Sequence, residues 1–510
     1  MKGKIFIAIT WLIVFTLSSC TDFNELNTDP NAPTSVTPDL LATQLMKDVY
    51  RFWNVNPTDF GSGNLWAKHT VLLETNPNPY QYYYSYYPYG SFGAMQKLTN
   101  LQLMEEAAKG NPTESSFKGL ALFFKATGGF GMTVEMGDIP YSEAGKAVDG
   151  ITQPKYDKQA DVFKQVLDDL KLAEANFAKG AKFGGDIMYG GDPVKWRRLC
   201  NAWQLKVLNT MSKKITAEQK ARFAEIVAAG NLLTEADNFQ LVYTENTNAS
   251  HPFFNGESRR INTAVSDLVV NALKLTNDRR LFYFAEPAAE KITGGLKDND
   301  FAAYVGAPTE LSADQLALNR AAGKYSLVNK RYVALRSGDP MLYFTYSEQC
   351  FIIAEAIEEG WLPGSAQTYY ENGVKAILKY YMGLPSATAA NLHSMPITQS
   401  YIDGYFTGEA AYKTGGTKAD RIKQIITQRW LLDFFQGNGL FSYRTFLRTG
   451  YPEFPLNPAT SLNPDDPKVY PKRWKYPPNE LTTNADNYNK AVQEQYDGYD
   501  GINKTPWWLQ

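Results

Sequence analysis

Apolar residues recur at helical spacing through most of this chain, and that pattern constrains its fold class more than any other feature. Residues three or four apart lie on one face of an α-helix, which has to be buried against another element. The stripes are Leu41, Leu45, Val49 and Phe52; Phe163, Val166, Leu167, Leu170, Ala173 and Phe177; and Trp196, Leu199, Trp203, Val207 and Met211. Segments 117–124, 343–357, 369–380 and 422–435 show the same spacing less regularly. A short strand is indicated at 238–243, but no alternation of strands and helices indicates a parallel sheet. The pattern predicts a mostly α protein built from helical hairpins.

The starts of several helices are marked by a capping residue followed by proline. Thr37-Pro38, Asp192-Pro193 and Asp339-Pro340 each place a side-chain oxygen before a residue whose missing N–H is harmless in the first helical turn. We therefore expect a helix to begin after each pair.

Two regions, 76–90 and 450–508, are rich in Pro, Gly, Asn and Tyr. This composition ends helices, while the aromatic residues can still bury area, so both regions are expected to be ordered loops. The glycines of segment 128–131 lack the spacing of a dinucleotide-binding loop and are expected to end a helix.

The first twenty residues have the pattern of a lipoprotein signal. Lys2 and Lys4 precede a largely apolar run at 5–17, which is shorter than the roughly 20 residues that a membrane-spanning helix needs. Leu17-Ser-Ser-Cys20 then resembles a bacterial lipobox. We predict that residues 1–19 are a signal peptide, that Cys20 is lipidated, and that residues 20–510 form a single body whose membrane contact is its lipid anchor.

Charge and cysteine content narrow the class further. The chain carries 51 basic and 53 acidic residues without a basic stripe, so nucleic acid is not an expected partner. Cys200 and Cys350 both fall in helical patterns. Two buried thiols, or one disulfide in an oxidising compartment, remain open alternatives.

Motifs for catalysis or metal binding are not found in the sequence. His69, His251 and His393 are far apart and belong to no metal-ligand motif, and neither a nucleophile elbow nor a phosphate-binding loop is present. Acidic turns at 298–300 and 497–501 do not fit a calcium-binding loop. We predict no catalytic residues, no metal site and no cofactor. A pair of carboxylates for glycoside hydrolysis depends on a spatial separation that the sequence does not give.

The strongest sign of ligand binding is a segment with seven tyrosines in ten residues. Aromatic faces pack on the C–H faces of sugar rings, and a phenol adds a hydrogen bond, although some of these rings are expected to pack on the helical body instead. The predicted ligand-binding residues are Tyr80, Tyr82, Tyr83, Tyr84, Tyr86, Tyr87, Tyr89 and Trp66. Weaker aromatic candidates are Phe60, His251, Phe253 and Phe254. Trp196 and Trp203 lie on apolar helix faces and are expected in the core.

Several segments, in order behind the lipobox, resemble the SusD/RagB family of outer-membrane nutrient-binding lipoproteins, in particular its SusD-like branch. The amino-terminal matches are Asn27-Thr-Asp-Pro-Asn-Ala-Pro33, Gly137-Asp-Ile-Pro-Tyr-Ser-Glu-Ala144, Pro154-Lys-Tyr-Asp157 and Lys195-Trp-Arg-Arg-Leu-Cys-Asn201. The carboxy-terminal matches are Gln428-Arg-Trp430, Arg448-Thr-Gly-Tyr-Pro452, Pro471-Lys-Arg-Trp-Lys-Tyr-Pro477 with Glu480, and Trp507-Trp508.

The resemblance implies tetratricopeptide-like helical hairpins in an α-α superhelix that supports a loop-rich ligand-binding region. It also implies a partner, a SusC-like TonB-dependent outer-membrane barrel. The leading interpretation is a cell-surface lipoprotein that binds an oligosaccharide, or as a second choice a peptide, and delivers it to that barrel. The alternatives are a surface glycan hydrolase and a helical-repeat protein-interaction scaffold.

Overall fold

The computed structural model describes residues 36–50, 62–83, 88–436 and 439–510. Its longer helices are α1 (Pro38–Tyr50), α2 (Leu98–Ala108), α3 (Glu114–Met136), α4 (Gln159–Phe177), α5 (Pro193–Thr210), α6 (Ala217–Ala229), α7 (Asp267–Leu275), α8 (Ala313–Ala321), α9 (Tyr346–Glu358), α10 (Ala366–Met382), α11 (Lys418–Leu432), α12 (Gly439–Thr449) and α13 (Ala485–Tyr496). The prediction of a mostly α protein is confirmed.

Shorter elements connect these helices. Single-turn helices span Ser62–Trp66, Gly93–Gln96, Glu257–Arg260, Arg280–Phe284, Ala289–Thr293, Arg331–Ala334, Gln399–Asp403 and Glu480–Thr483. Brief 3-10 turns span Ala147–Asp149, Ser212–Lys214, Thr247–Ala249, Phe301–Ala303, Gly408–Ala410 and Trp507–Leu509.

Among the described residues, four short strands form two antiparallel pairs. β1 (Thr70–Leu72) pairs with β3 (Thr263–Val265), with Val71 opposite Ala264. β2 (Phe239–Leu241), which confirms the strand expected near 238–243, pairs with β4 (Met341–Phe344) across a register shift between Phe239 and Gln240.

Successive long helices pack side by side around one large apolar core. α3 packs along α4, α4 along α5, and α9 packs against α5, α10 and α11. The indole of Trp196 lies at the centre of this packing, with ring centroids 5.2 Å from Phe123 and 5.7 Å from Phe177. Trp196 and Trp203 are both buried, which confirms their predicted place in the core.

Two of the three predicted cap–proline starts are confirmed. Thr37 precedes α1, and the Asp192 carboxylate accepts a 2.9 Å hydrogen bond from the Val194 N–H at the start of α5. The prediction for Asp339-Pro340 is wrong, because the next residues form strand β4 and the following helix starts after Thr345. Asp339 instead forms a buried ion pair with Arg331.

Two expectations about glycine-rich and loop segments are also corrected. Gly128, Gly129 and Gly131 lie inside α3 rather than at a helix end, and the ring of Tyr141 packs directly on Gly129. Region 450–508 is loop up to Asn479 but then forms the Glu480–Thr483 turn and α13. The apolar face of α13, with Val492 and Tyr496 buried, outweighs a composition that is poor for helices.

Cys200 and Cys350 are both buried and free in the structure. Burial raises the pKa of the Cys350 thiol to about 12, so it stays protonated near neutral pH. Within the described part of the chain, no helix is both long enough and apolar enough to span a membrane.

Candidate ligand-binding site

The first half of the tyrosine-rich segment is fastened to the body of the protein. The Tyr82 hydroxyl donates a 2.7 Å hydrogen bond to the Leu311 carbonyl, and the Tyr83 hydroxyl donates a 3.1 Å bond to that of Pro455. Each tyrosine is only 3% exposed. In this structure neither ring presents an open face, and an aromatic face that is covered cannot stack on a sugar.

A buried lysine lies beneath this end of the segment. The Lys68 ammonium lies 3.7 Å from the centroid of the Tyr83 ring and donates a hydrogen bond to the Gln81 carbonyl. Burial lowers the pKa of Lys68 to about 7, and the nearby carboxylate of Glu310 opposes this shift in part. The Gln81 side chain in turn accepts a 2.7 Å bond from the Leu72 N–H, which ties the segment to β1.

Trp66 supports the same end from below. It is 1% exposed, and its ring centroid lies 4.9 Å from Tyr443, 5.0 Å from Trp474 and 6.1 Å from Tyr83. Trp66 is thus part of the core, and its ring faces are covered in this structure as those of Tyr82 and Tyr83 are.

The second end of the segment is more open to solvent. Tyr89 is 43% exposed. Its two neighbours bind the main chain of Lys475: the Gly90 N–H donates a 2.7 Å hydrogen bond to the Lys475 carbonyl, and the Lys475 N–H donates a 2.8 Å bond to the Pro88 carbonyl. Tyr80 is half-buried against the core. Tyr84, Tyr86, Tyr87 and Phe60 lie outside the described residues.

Next to Tyr89, the chain forms a cleft of about 490 Å³, which we call the Tyr89 cleft. It lies between segments 90–96, 140–154 and 477–484. Apolar groups come from Phe92, Met95, Pro140, Ile151, Pro154 and Pro477, and polar groups come from Gln96, Glu143, Thr152, Asn479, Glu480 and Asn484. Apolar walls with a few polar groups, at a volume of several hundred Å³, are typical of small-molecule sites.

Hydrogen bonds between distant segments hold the walls of this cleft together. The Tyr156 hydroxyl donates a 2.7 Å bond to the Glu480 carboxylate, and the Asn484 amide donates a 2.9 Å bond to the Pro154 carbonyl. The Tyr156 ring also packs 6.0 Å from Phe92. Segments 137–144, 154–157 and 471–480, which carry part of the family resemblance, meet here.

The cleft itself was not predicted from the sequence. Its lining residues come from three segments separated by tens to hundreds of positions, and none of them contains a catalytic or metal-binding motif. The only available signal was that the resemblance motifs flank it. Their convergence, however, becomes visible only in the folded chain.

The weaker aromatic candidates near His251 are mainly structural. His251 and Phe253 are buried, whereas Phe254 is half-buried beneath the Arg336 guanidinium, 4.7 Å from the ring centroid. Burial lowers the pKa of His251 to about 4, so this ring is neutral near pH 7.

The remaining histidines make separate structural contacts. His69 Nε2 lies 2.9 Å from the Trp430 carbonyl, and His393 Nε2 lies 3.0 Å from the Glu286 carboxylate. No group of three or more His, Cys, Asp or Glu side chains suited to a metal ion occurs among the residues that the structure describes.

Comparison with known proteins identifies relatives over most of the chain. Residues 30–477 match the SusD-like family model described as "Starch-binding associating with outer membrane". No protein with a curated description matches the chain.

Solved structures share the fold at nearly full length. A SusD homologue from Bacteroides fragilis is 35% identical with a TM-score of 0.87, and the match covers 93% of this chain and 100% of that one. An outer-membrane protein from Bacteroides vulgatus, to which nutrient binding is ascribed, is 30% identical with a TM-score of 0.82 and the same coverage. A chitin-binding protein is 25% identical with a TM-score of 0.71, covering 92% of this chain and 99% of that one. With a family model spanning most of the sequence and a shared helical architecture from end to end, the chain belongs to the SusD-like family.

Proposed function

We propose that this protein is a nutrient-binding lipoprotein of the outer membrane that captures an oligosaccharide at the cell surface. Membership in the SusD-like family carries this proposal, since the family description refers to starch binding at the outer membrane. A relative that is 25% identical is a chitin-binding protein, which favours a glycan over a peptide as the ligand. Delivery to a SusC-like TonB-dependent barrel is part of the same proposal.

The ligand surface that we propose combines Tyr89 with the neighbouring Tyr89 cleft. The exposed phenol ring can stack on one sugar ring, while Gln96, Asn479 and the cleft's other polar groups can hydrogen-bond hydroxyl groups of the next. Tyr80, and Tyr84, Tyr86 and Tyr87 beyond the described residues, remain predicted contacts. Tyr82, Tyr83 and Trp66 act beneath this surface as its support.

A binding assay with paired tyrosine variants tests this surface. The purified protein, residues 20–510, is screened on a glycan array, and the affinity for the best ligand is then measured by calorimetry. We expect Tyr89→Ala to weaken binding by roughly 5- to 150-fold, the equivalent of about 1–3 kcal/mol for a central contact. Its melting temperature should match that of the unmodified protein, because the ring is largely outside the core.

Tyr82→Phe serves as the matched control, since it removes only the buried hydrogen bond to Leu311. It should lower stability by about 1 kcal/mol and leave affinity unchanged. If Tyr89→Ala binds the glycan like the unmodified protein, the ligand surface lies elsewhere.

The same purified samples distinguish a binding protein from an enzyme. A binding protein should raise its melting temperature with the glycan and release no new reducing ends. Reducing ends that accumulate, and are lost in Glu480→Gln or Glu143→Gln, would show a hydrolase instead.

Affinity purification from outer membranes should recover a TonB-dependent barrel together with the protein, and its absence would contradict the proposed delivery.

A further inference from the structure

A second cleft, of about 620 Å³, lies where several long helices end, and it shares no lining residue with the Tyr89 cleft. Lys213 follows α5, Lys220 lies in the first turn of α6, and Glu355, Lys418 and Arg448 come from α9, α11 and α12. Trp361, Ile422 and Tyr451 add apolar and aromatic surface. We call this the lysine cleft.

The two carboxylates that line this cleft are already paired. Glu355 is bound by the Arg448 guanidinium, with one bond of 3.0 Å, and Glu359 lies 2.6 Å from the Lys418 ammonium. Lys213 and Lys220 make no ion pair with any residue that the structure describes. The lining therefore carries an excess of two positive charges.

Positive charge is concentrated most strongly around Lys213. Its ammonium donates a 3.2 Å hydrogen bond to the Leu509 carbonyl, which is neutral. Partial burial, together with the cations of Arg448 and Lys472, lowers the pKa of Lys213. Lys472 is itself bound to a neutral group, the Thr505 hydroxyl, at 2.9 Å. Like charges held this close repel one another, and an anion bound among them would relieve that repulsion.

Three acidic side chains lie close in sequence to residues that line the cleft. Asp420 is bound within its own helix cap by the Thr417 hydroxyl at 2.7 Å, and Glu453 pairs with Lys423 at 3.0 Å. Neither of them, nor Glu218 in the first turn of α6, lines the cleft.

We propose that the lysine cleft is a second ligand site that binds an acidic saccharide, with Lys213 and Lys220 holding its carboxylate or sulfate groups. An aromatic residue in the lining favours a sugar over a bare ion, since the half-buried ring of Tyr451 offers apolar surface to a C–H face, whereas Trp361 is 9% exposed and packs in the wall of the cleft. The volume also lies in the range of sites for small organic ligands. This site is independent of glycan binding at Tyr89.

Calorimetry with digalacturonate, a disaccharide with two carboxylates, tests this site, with methyl-esterified digalacturonate as the neutral comparison and sodium sulfate as the bare oxyanion. We expect digalacturonate to bind the unmodified protein more tightly than either comparison. The double variant Lys213→Gln/Lys220→Gln should weaken its binding by about ten-fold or more, because each lost contact is a charge-assisted hydrogen bond. Arg448 is left intact, since its loss would remove the hydrogen-bonded counter-charge of the buried Glu355.

The variant Lys171→Gln/Lys179→Gln removes the same charge from exposed positions on and just beyond α4, away from the cleft lining, and should bind digalacturonate like the unmodified protein. Equal affinity for the acid and its ester, or unchanged affinity in Lys213→Gln/Lys220→Gln, would overturn the proposal. Sulfate that binds as tightly as digalacturonate would overturn its saccharide part, showing a site for a bare oxyanion. The neutral glycan from the array, measured on the same variant, should bind as before, so failure here and failure at Tyr89 remain distinguishable.

Discussion

Gly129 and Gly131 lie two residues apart in α3, yet their surroundings differ completely. A Cβ atom at Gly129 would lie 2.1 Å from a ring carbon of Tyr141, whereas one at Gly131 would meet nothing within 4 Å. The Tyr141 ring has little room to move, because it is 1% exposed and its hydroxyl donates a 2.7 Å bond to Asp169. The glycine inside this helix is thus required by packing and not by a turn.

Gly129→Ala and Gly131→Ala should therefore change stability in opposite directions. Alanine inside a helix contributes about 1 kcal/mol relative to glycine, so Gly131→Ala should stabilise the protein by up to that amount. At Gly129 the overpacking costs about 1–3 kcal/mol and should outweigh that gain. Urea unfolding of both variants measures the two effects, and equal stabilisation by both would contradict the close packing of Tyr141.

Lys68 shows a different residue-scale effect, the burial of a charge. Its pKa falls from 10.5 to about 7 in the folded protein. Between these values the unfolded chain binds a proton that the folded chain does not. The contribution of Lys68 to the free energy of unfolding therefore rises with pH between these two values.

Lys68→Met should remove this pH dependence. The free energy of unfolding of the unmodified protein, minus that of the variant, should increase from pH 7 towards pH 10. Chemical unfolding at a series of pH values gives this difference directly. A difference that stays flat, or falls, over the window would show that Lys68 keeps its proton in the folded state.

At the scale of elements, one sequence pattern leads to two structures. Asp192-Pro193 opens α5, whereas Asp339-Pro340 leads into strand β4, which pairs with β2. The carboxylate of Asp339 then binds Arg331, which is fully buried, and accepts a 2.6 Å bond from the Ser386 hydroxyl. The same dipeptide serves as a helix cap in one place and as half of a buried ion pair in the other.

Alanine substitutions should distinguish these two roles by the loss of folding stability that each one causes. Asp192→Ala removes a single capping bond and should cost about 1 kcal/mol. Asp339→Ala leaves the Arg331 guanidinium buried without its counter-charge and should cost about 3–5 kcal/mol. Thermal and urea unfolding compare the two variants. Similar losses would mean that Arg331 finds another partner or becomes hydrated.

At the scale of the whole molecule, we predict that a lipid on Cys20, which lies outside the described residues, attaches the protein to the membrane. Cys20→Ala removes the only thiol to which that lipid could be added in the lipobox-like segment. We expect the variant to leave the outer-membrane fraction after a high-salt wash while the unmodified protein remains there, because acyl chains hold a protein at a membrane. Immunoblots of the separated fractions measure this. Full retention of the variant would show that another contact anchors the protein.

Local sequence determined much of the helical architecture. The spacing of Trp196, Leu199 and Trp203 identifies a buried helix face because helical periodicity depends only on neighbours along the chain. Helix-capping residues such as Asp192 can be identified from the sequence for the same reason, because a cap depends only on neighbouring residues. The ordered motifs that resemble the SusD-like family pointed to the family that the comparisons confirm.

Tertiary structure alone decided which aromatic rings are available to a ligand. Tyr82 and Tyr89 belong to the same tyrosine-rich segment, but the first is covered by contacts with a loop more than two hundred positions away and the second is 43% exposed. The Tyr89 cleft and the lysine cleft likewise depend on contacts between segments that are distant in sequence. Burial and cavity shape depend on contacts between segments that are distant in sequence. A pattern within a short stretch of residues does not specify which distant segments will be in contact.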